Sequence, residues 1–357
     1  MREVGGPLTI EDVEIADPDP FEVLVDVAAA GLCHSDLRFL EGSFDPPLPT
    51  VLGHEVAGVV RAVGDSVTRV EPGDHVVMSL SVSCGNCALC HAGKTHLCVD
   101  KEATRRAVGD PPRLVIDGTP MVQFLDLSGF AEQVLVHESG VVGIDKEVPL
   151  GLAAILGCGV ATGLGAVFNT AAVQPGESVV VLGCGGVGLS AVQAARIAGA
   201  RRVIAVDPLP EKLDLALGLG ATDTALASSP DLVATVVGLT DGLGADHVIE
   251  AVGRVESIEA GFAMTRRGGT VTAVGLVPAG SKVAISTDDL YYERRLQGSV
   301  MGSNDFVVDV PRYLEMYHNG LLNLGDMVTE RIRLDQVNEG FVAMEKARDP
   351  RILIEFD

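Results

Sequence analysis

The segment Cys84-Gly-Asn-Cys87-Ala-Leu-Cys90-His-Ala-Gly-Lys-Thr-His-Leu-Cys98 places four thiols at intervals of three, three and eight residues. Four thiolates spaced in this way wrap one tetrahedral zinc ion, and a closed four-sulfur set leaves no position for a substrate. The role read here is structural. A pair of disulfides is the competing reading, but the chain has seven cysteines, an odd number, and the compartment expected for it is reducing. His91 and His96 lie in the same loop, although the sulfur set is complete without them.

A second chemical signal is Gly183-Cys-Gly185-Gly186-Val187-Gly188, which follows the apolar run SVVVL and precedes a helical pattern. Gly183 allows a tight turn, Gly185 lets the backbone approach a pyrophosphate, and Gly188 permits close helix packing, with the helix N-terminus facing the anion. The next apolar run, RVIAVD, ends in Asp207, 24 residues beyond Gly183. An acid there accepts hydrogen bonds from a ribose 2′-hydroxyl and repels a 2′-phosphate, which favours NAD over NADP. The alternative role for Asp207 is a helix cap, because Pro208 follows it.

Cys33 in GLCHSD, His54 in LGHEVAG and Cys158 in LGCGVATG would each pass singly for an ordinary core residue. Together they supply a Cys2His set, and a catalytic zinc takes three protein ligands while keeping a fourth position open. Asp36 and Glu55 stand beside those ligands and are suited to orienting them.

The elements that must position these residues fall into two textures. Residues 1 to about 150 read as short alternating strands, for example 22–29, 56–63 and 75–80, an all-β pattern. From Ser178 onward apolar strands alternate with helices, which implies βαβ units in a parallel sheet. After about residue 300, two helical stretches flank a short strand, too little for a domain of its own, so this tail should pack back on the first domain. No internal repeat or low-complexity segment is visible.

Composition agrees with this division. Hydrophobic residues make up 47% of the chain and aromatics only 4%, with 42 glycines and no Trp, so the interiors must be built from Val, Leu, Ile and Ala. The formal charge of −23 argues against nucleic acid or an anionic membrane as partner. The opening MREVGGPLTIEDVEI carries charges where a signal peptide would be apolar, so a cytoplasmic location is expected. Residues 149–174 are uncharged and long enough to span a bilayer, but five glycines, two threonines and Asn169 interrupt them; a buried segment between two domains is the expectation.

These landmarks, with PGDHV, VDPLPEK and a C-terminal MGS, D-x-P and Y-x-x-G series, resemble the zinc-dependent alcohol dehydrogenases of the medium-chain dehydrogenase/reductase superfamily over nearly the whole chain. The resemblance implies an α/β plus β fold. A GroES-like β-barrel catalytic domain would occupy residues 1–159, an inserted Rossmann domain with a doubly wound parallel sheet 160–300, and a segment completing the catalytic domain 301–357. It implies two zinc ions per chain, a catalytic one on Cys33, His54 and Cys158 and a structural one on Cys84, Cys87, Cys90 and Cys98, together with NAD. Ser35 would hydrogen-bond the alcohol oxygen. Thr162 and Val187 would contact the nicotinamide, Lys212 the adenosine ribose, and His34 and Arg351 the pyrophosphate; for Arg351 a surface ion pair is the alternative. Phe44, Leu80, Phe124, Leu125 and Leu276 would line the substrate pocket.

The implied reaction is reversible hydride transfer between a small alcohol, or its aldehyde or ketone, and NAD, in a homodimer. The dimer is expected because the segment between Cys98 and Gly129 is long, as in dimeric relatives. Two rivals stand beside this reading. One is a thiol-dependent formaldehyde dehydrogenase, whose adduct-binding arginine is not evident after Cys98, where Glu102 stands. The other is a non-catalytic NAD-binding protein. The sequence departs from the family it resembles at two places: Met1 stands close before Gly5-Gly6, where a strand normally precedes, with a missing strand and a misassigned start as the two readings, and Arg38 stands where many of that family carry a proton-relay His.

Overall fold

The computed structural model describes residues 1–346 and 351–356. The chain divides into two compact units, one of Met1–Gly159, Asp305–Glu315 and Leu324–Asp357, the other of Val160–Asn304 and Met316–Asn323.

The first unit is built round the strand Glu22–Gly31, EVLVDVAAAG. One edge pairs along its length with Glu55–Val63, while the other pairs first with Gln133–His137 and then with the C-terminal strand Ile352–Glu355. The sheet continues from Ile352–Glu355 to Glu330–Ile332 on one side, and from Glu55–Val63 to His75–Met78 and Val141–Ile144 on the other. Register shifts at Leu24/Val25 and Val27/Ala29 mark irregularities of the kind that bend and twist a strand. Val23, Val25 and Val27 alternate along it and join Val56, Val60, Val76, Met78, Val134 and Val136 in one core. β-Branched side chains suit such a pleated surface, and each fully buried valine contributes about 1.5–3 kcal/mol.

The central strand runs two residues beyond the expected 22–29. The strand expected over 75–80 stops at Met78, because Ser79 Oγ accepts the Ser81 N–H and turns the backbone before Leu80. Of the tail, Asp305–Glu315 and Leu324–Asp357 belong to this unit and Met316–Asn323 to the other; the first unit's part includes the strand Ile352–Glu355, which the sequence reading lacked.

The second unit holds six parallel strands in the order Asp223–Leu226, Arg202–Asp207, Ser178–Leu182, Ala245–Glu250, Thr265–Ala273 and Arg295–Gly298. The chain starts in the middle, builds one flank and then crosses to build the other, the doubly wound order of a Rossmann fold. Ser178–Leu182 is buried at every residue, as expected for a strand covered on both faces. Among the described residues no single helix is long and apolar enough to cross a membrane. The uncharged stretch is broken near Cys158, whose φ of −144° and ψ of −77° are not helical.

Candidate functional site

In the first unit, sheet register brings the first two expected ligands together. Gly31 pairs with Glu55, so Cys33, just past one strand, and His54, just before the next, emerge at the same end of the sheet. The helix His34–Leu40 begins after Cys33, and Asp36 on its first turn accepts the Cys33 N–H at 3.2 Å, a capping contact that fixes the direction of the turn. The break at Cys158 brings the third expected ligand to the same place. Ligand atoms of Cys33, His54, Glu55 and Cys158 all lie within 4.8 Å of one another, and all four residues are buried.

Asp36 Oδ1 lies 2.9 Å from His54 Nδ1 and also accepts the Gly53 N–H at 3.1 Å. His54 Nε2 is buried with no hydrogen-bond partner. Hydrogen bonding from Cys158 holds the Cys33 thiol well below its ordinary range, against the opposing effect of burial, while the same contact and burial push Cys158 up. Burial works against a charged His54, yet Asp36 and Cys33 outweigh it and raise its pKa. Two sulfurs beside the unpartnered imidazole nitrogen of His54, in surroundings that favour positive charge, fit a zinc ion with one position left for substrate. The Ser35 hydroxyl stands 3.6 Å from the Cys33 sulfur.

Glu55 is pushed up to about 7 by burial, against the opposing charge of Arg351. Its Oε1 accepts the Gly159 N–H at 2.9 Å and lies 3.0 Å from Arg351 Nη1, which also reaches the Leu32 carbonyl. Arg351 is therefore in a buried pair rather than a surface one. His34, by contrast, is exposed.

The four-cysteine lobe converges as its spacing requires. Sulfur to sulfur separations are 3.4 Å for Cys87–Cys90, 3.6 Å for Cys84–Cys98 and 4.0 Å for Cys84–Cys90. None of the four is in a disulfide. The N–H groups of Asn86 and Cys87 point at Cys84 Sγ, and that of Cys84 at Cys98 Sγ. Backbone donors, Val99 foremost, pull Cys87 down to about 6, whereas burial and neighbouring thiols push Cys90 up to about 12. The set fits a closed zinc site.

In the second unit, Gly183 has a φ of +91°, and a Cβ on Gly188 would lie 1.7 Å from the Gly183 carbonyl, so both need glycine. A Cβ on Gly185 would meet no atom within 4 Å, which leaves room for a phosphate at the N-terminus of the helix Gly186–Ile197. Asp207 Oδ2 accepts the Cys184 N–H at 2.8 Å and Oδ1 the Leu209 N–H at 3.0 Å, so it braces the loop as well as ending its strand. Val187 is half-buried in that helix, and Lys212 is buried in the helix Pro210–Gly218. Thr162 is buried, with its hydroxyl 3.7 Å from Met301 Sδ. Leu276 is 50% exposed within this unit.

Of the apolar residues expected in the pocket, Phe124 is buried, its ring 6.1 Å from that of His54. Phe39, absent from the sequence reading, links it to Phe44 through ring contacts of 4.8 and 5.1 Å. Leu125 packs beside Phe124's core cluster, and Leu80 against the valine core. Glu250 was also missed. Its Oε1 accepts from the Val252 and Gly253 N–H groups and the Ser257 hydroxyl, bracing the turn at the end of a central strand. The only sequence signal was an acid before a glycine.

Residues 19–146 match the alcohol dehydrogenase GroES-like domain family, and residues 186–317 the zinc-binding dehydrogenase family. The chain is 38% identical to an S-(hydroxymethyl)glutathione dehydrogenase of Synechocystis, over 99% of this chain and 98% of that one. It is 39% identical to an NDMA-dependent alcohol dehydrogenase of Amycolatopsis methanolica, over 99% and 97%. Among solved structures, an alcohol dehydrogenase zinc-binding domain protein from Burkholderia ambifaria superposes with a TM-score of 0.94 at 36% identity, covering 100% of this chain and 97% of that one.

Proposed function

Since the chain belongs to the zinc-dependent alcohol dehydrogenases of the medium-chain dehydrogenase/reductase superfamily, we propose that it interconverts an alcohol and its aldehyde or ketone with NAD as the hydride acceptor, holding one catalytic and one structural zinc. The observation that carries this reading is His54 Nε2, buried without a partner among Cys33 and Cys158 while Asp36 holds the other ring nitrogen. When bound, zinc supplies Lewis acidity to the substrate oxygen and NAD supplies the hydride acceptor.

The chain's own groups do the rest. Asp36 accepts the Nδ1 proton of His54 and so turns the Nε2 lone pair toward the sulfurs. Ser35, beside Cys33, takes the proton of the substrate hydroxyl. Phe44, Leu80, Phe124 and Leu125 exclude water, which strengthens every charge interaction in the site. Asp207 receives the ribose hydroxyl and repels a 2′-phosphate. Thr162 and Val187 are assigned to the nicotinamide, Lys212 to the ribose, and His34 and Arg351 to the pyrophosphate.

A thiol adduct of formaldehyde is the second reading, favoured by the Synechocystis relative's name. The cations that follow Cys98 weigh against it. Lys101 and Arg105 are held by Asp126, and Arg106 and Arg113 by Glu22, so each is already occupied. We further take the enzyme to be a cytoplasmic homodimer. The strand Arg295–Gly298 is paired on one edge only, and Leu290, Tyr291, Leu296 and Val300 nearby are exposed, an edge suited to a second copy.

The test is a panel of primary, secondary, allylic and aromatic alcohols with NAD, followed by NADH absorbance. Turnover without added thiol is expected; activity that appears only with a low-molecular-weight thiol would transfer the assignment to the second reading. No turnover despite full zinc loading would favour a non-catalytic NAD-binding protein.

A further inference from the structure

The turn after Gln123 is not one its residues choose. Leu125, Asp126 and Ser128 have φ values of +50°, +60° and +65°, three left-handed residues without a glycine among them. Such a backbone persists only where its surroundings over-determine it. Some of the restraint is local: Ser128 Oγ accepts the Phe124 N–H, and Gln123 Nε2 reaches the Leu127 and Leu135 carbonyls. The rest comes from the segment that follows the last cysteine of the zinc lobe. Arg105 donates through Nε and an Nη to Asp126 Oδ1, both at 3.2 Å, and Lys101 Nζ lies 3.8 Å from Asp126 Oδ2. Lys101 Nζ also donates to the Leu80 carbonyl at 3.3 Å. Arg113 ties the same segment to the start of the turn, donating to the Thr104 carbonyl and to Gln123 Oε1.

Three residues past Cys98, therefore, one ammonium group touches the backbone at Leu80 and the carboxylate beside Leu125, and Arg105 doubles the second contact. We propose that Lys101, Arg105 and Asp126 are positioning residues, a clamp through which the zinc lobe sets the shape of the substrate pocket and so its discrimination between small and bulky alcohols. This rests on the reading above that Leu80, Phe124 and Leu125 line that pocket. Asp126 is nearly buried, so its charge has no good alternative to the two cations. Its backbone conformation is one that Asn also tolerates, which makes Asp126→Asn a change of charge with little change of turn.

The experiment compares wild type, Asp126→Asn and Lys101→Met/Arg105→Met, each checked for zinc content and melting temperature. For each, kcat and KM are measured with ethanol and with benzyl alcohol, and the affinity for an unreactive aromatic amide is measured by calorimetry. The expected result is that both variants keep their zinc and kcat for ethanol, while the benzyl to ethanol ratio of kcat/KM and the amide affinity each shift by about three- to tenfold. Arg105→Lys, which retains a cation, should restore most of the ratio. A wild type that oxidises neither of these nor any secondary or allylic alcohol overturns the alcohol reading itself. A wild type that oxidises both, with variants whose ratio and amide affinity are unchanged even if they melt earlier, makes the clamp merely structural and overturns the inference.

Discussion

Oδ1 of Asp36 lies 2.9 Å from Nδ1 of His54, with both side chains wholly buried. That contact aims Nε2 at the two sulfurs, so Asp36→Asn should weaken zinc at this site by about 10–100-fold while the cysteine lobe keeps its ion. Competition with a chelator measures it. In the wild type, elemental analysis should give about two zinc ions per chain, and Cys158→Ala about one. Equal zinc content in the two proteins would remove the catalytic site assigned here.

Asp207 accepts one backbone N–H on each carboxylate oxygen and retains further lone pairs for a ribose. Asp207→Gly removes the charge that a 2′-phosphate would meet, so discrimination against NADP should relax by about tenfold or more. NAD affinity should fall as well, because the Cys184 N–H loses its acceptor. Dissociation constants for both nucleotides decide this, and a wild type already preferring NADP would reverse the assignment.

Arg38 follows Ser35 by three residues on the helix His34–Leu40, so the two lie on one face. A guanidinium does not deprotonate in proteins, whereas an imidazole titrates near neutral pH. Alcohol oxidation should therefore depend on hydroxide and favour alkaline pH. In Arg38→His, single-turnover oxidation should be faster near neutral pH, and the two enzymes should converge at high pH. Coincident pH profiles, with NAD affinity and zinc content unchanged, would mean that Arg38 has no part in proton exit.

Stripping zinc from the lobe should expose a selective thiol. With Cys87 at about 6 and Cys90 at about 12, the first is largely thiolate at neutral pH and the second is not. Iodoacetamide should label Cys87 first, at a rate that rises through about pH 6 and then levels off. Peptide mass spectrometry reads the order; simultaneous labelling of the two residues would contradict the electrostatics described here.

Residues that bind by chemical type were legible in the sequence, because cysteine and glycine spacings carry their geometry with them. The seven residues expected to hold zinc converge in two groups, and Gly183 and Gly188 have the turn and the close contact read for them. Residues that act through distant partners were not legible. The strand Ile352–Glu355 has only three apolar residues before its glutamate, and its partner, Ala29–Gly31, lies more than 300 positions earlier. Asp223–Leu226 and Arg295–Gly298 escaped because they are short edge strands with little buried surface. The hold of Lys101 and Arg105 on Asp126 has no local pattern at all, and Arg351, for which a surface ion pair was the alternative, is buried and pairs with Glu55.

The placement of Ile352–Glu355 beside Ala29–Gly31 also orders events on the ribosome. Every strand of the parallel sheet lies between Ser178 and Gly298, so that sheet can form before the residues that follow have left the exit tunnel, although Met316–Asn323 joins the same unit later. The first unit's sheet can pair its earlier strands, but the edge at Ala29–Gly31, next to Cys33, stays open until Ile352–Glu355 has been made. During that interval the nascent chain carries a formed parallel sheet and one open strand edge, and that edge is the surface a chaperone would have to shield.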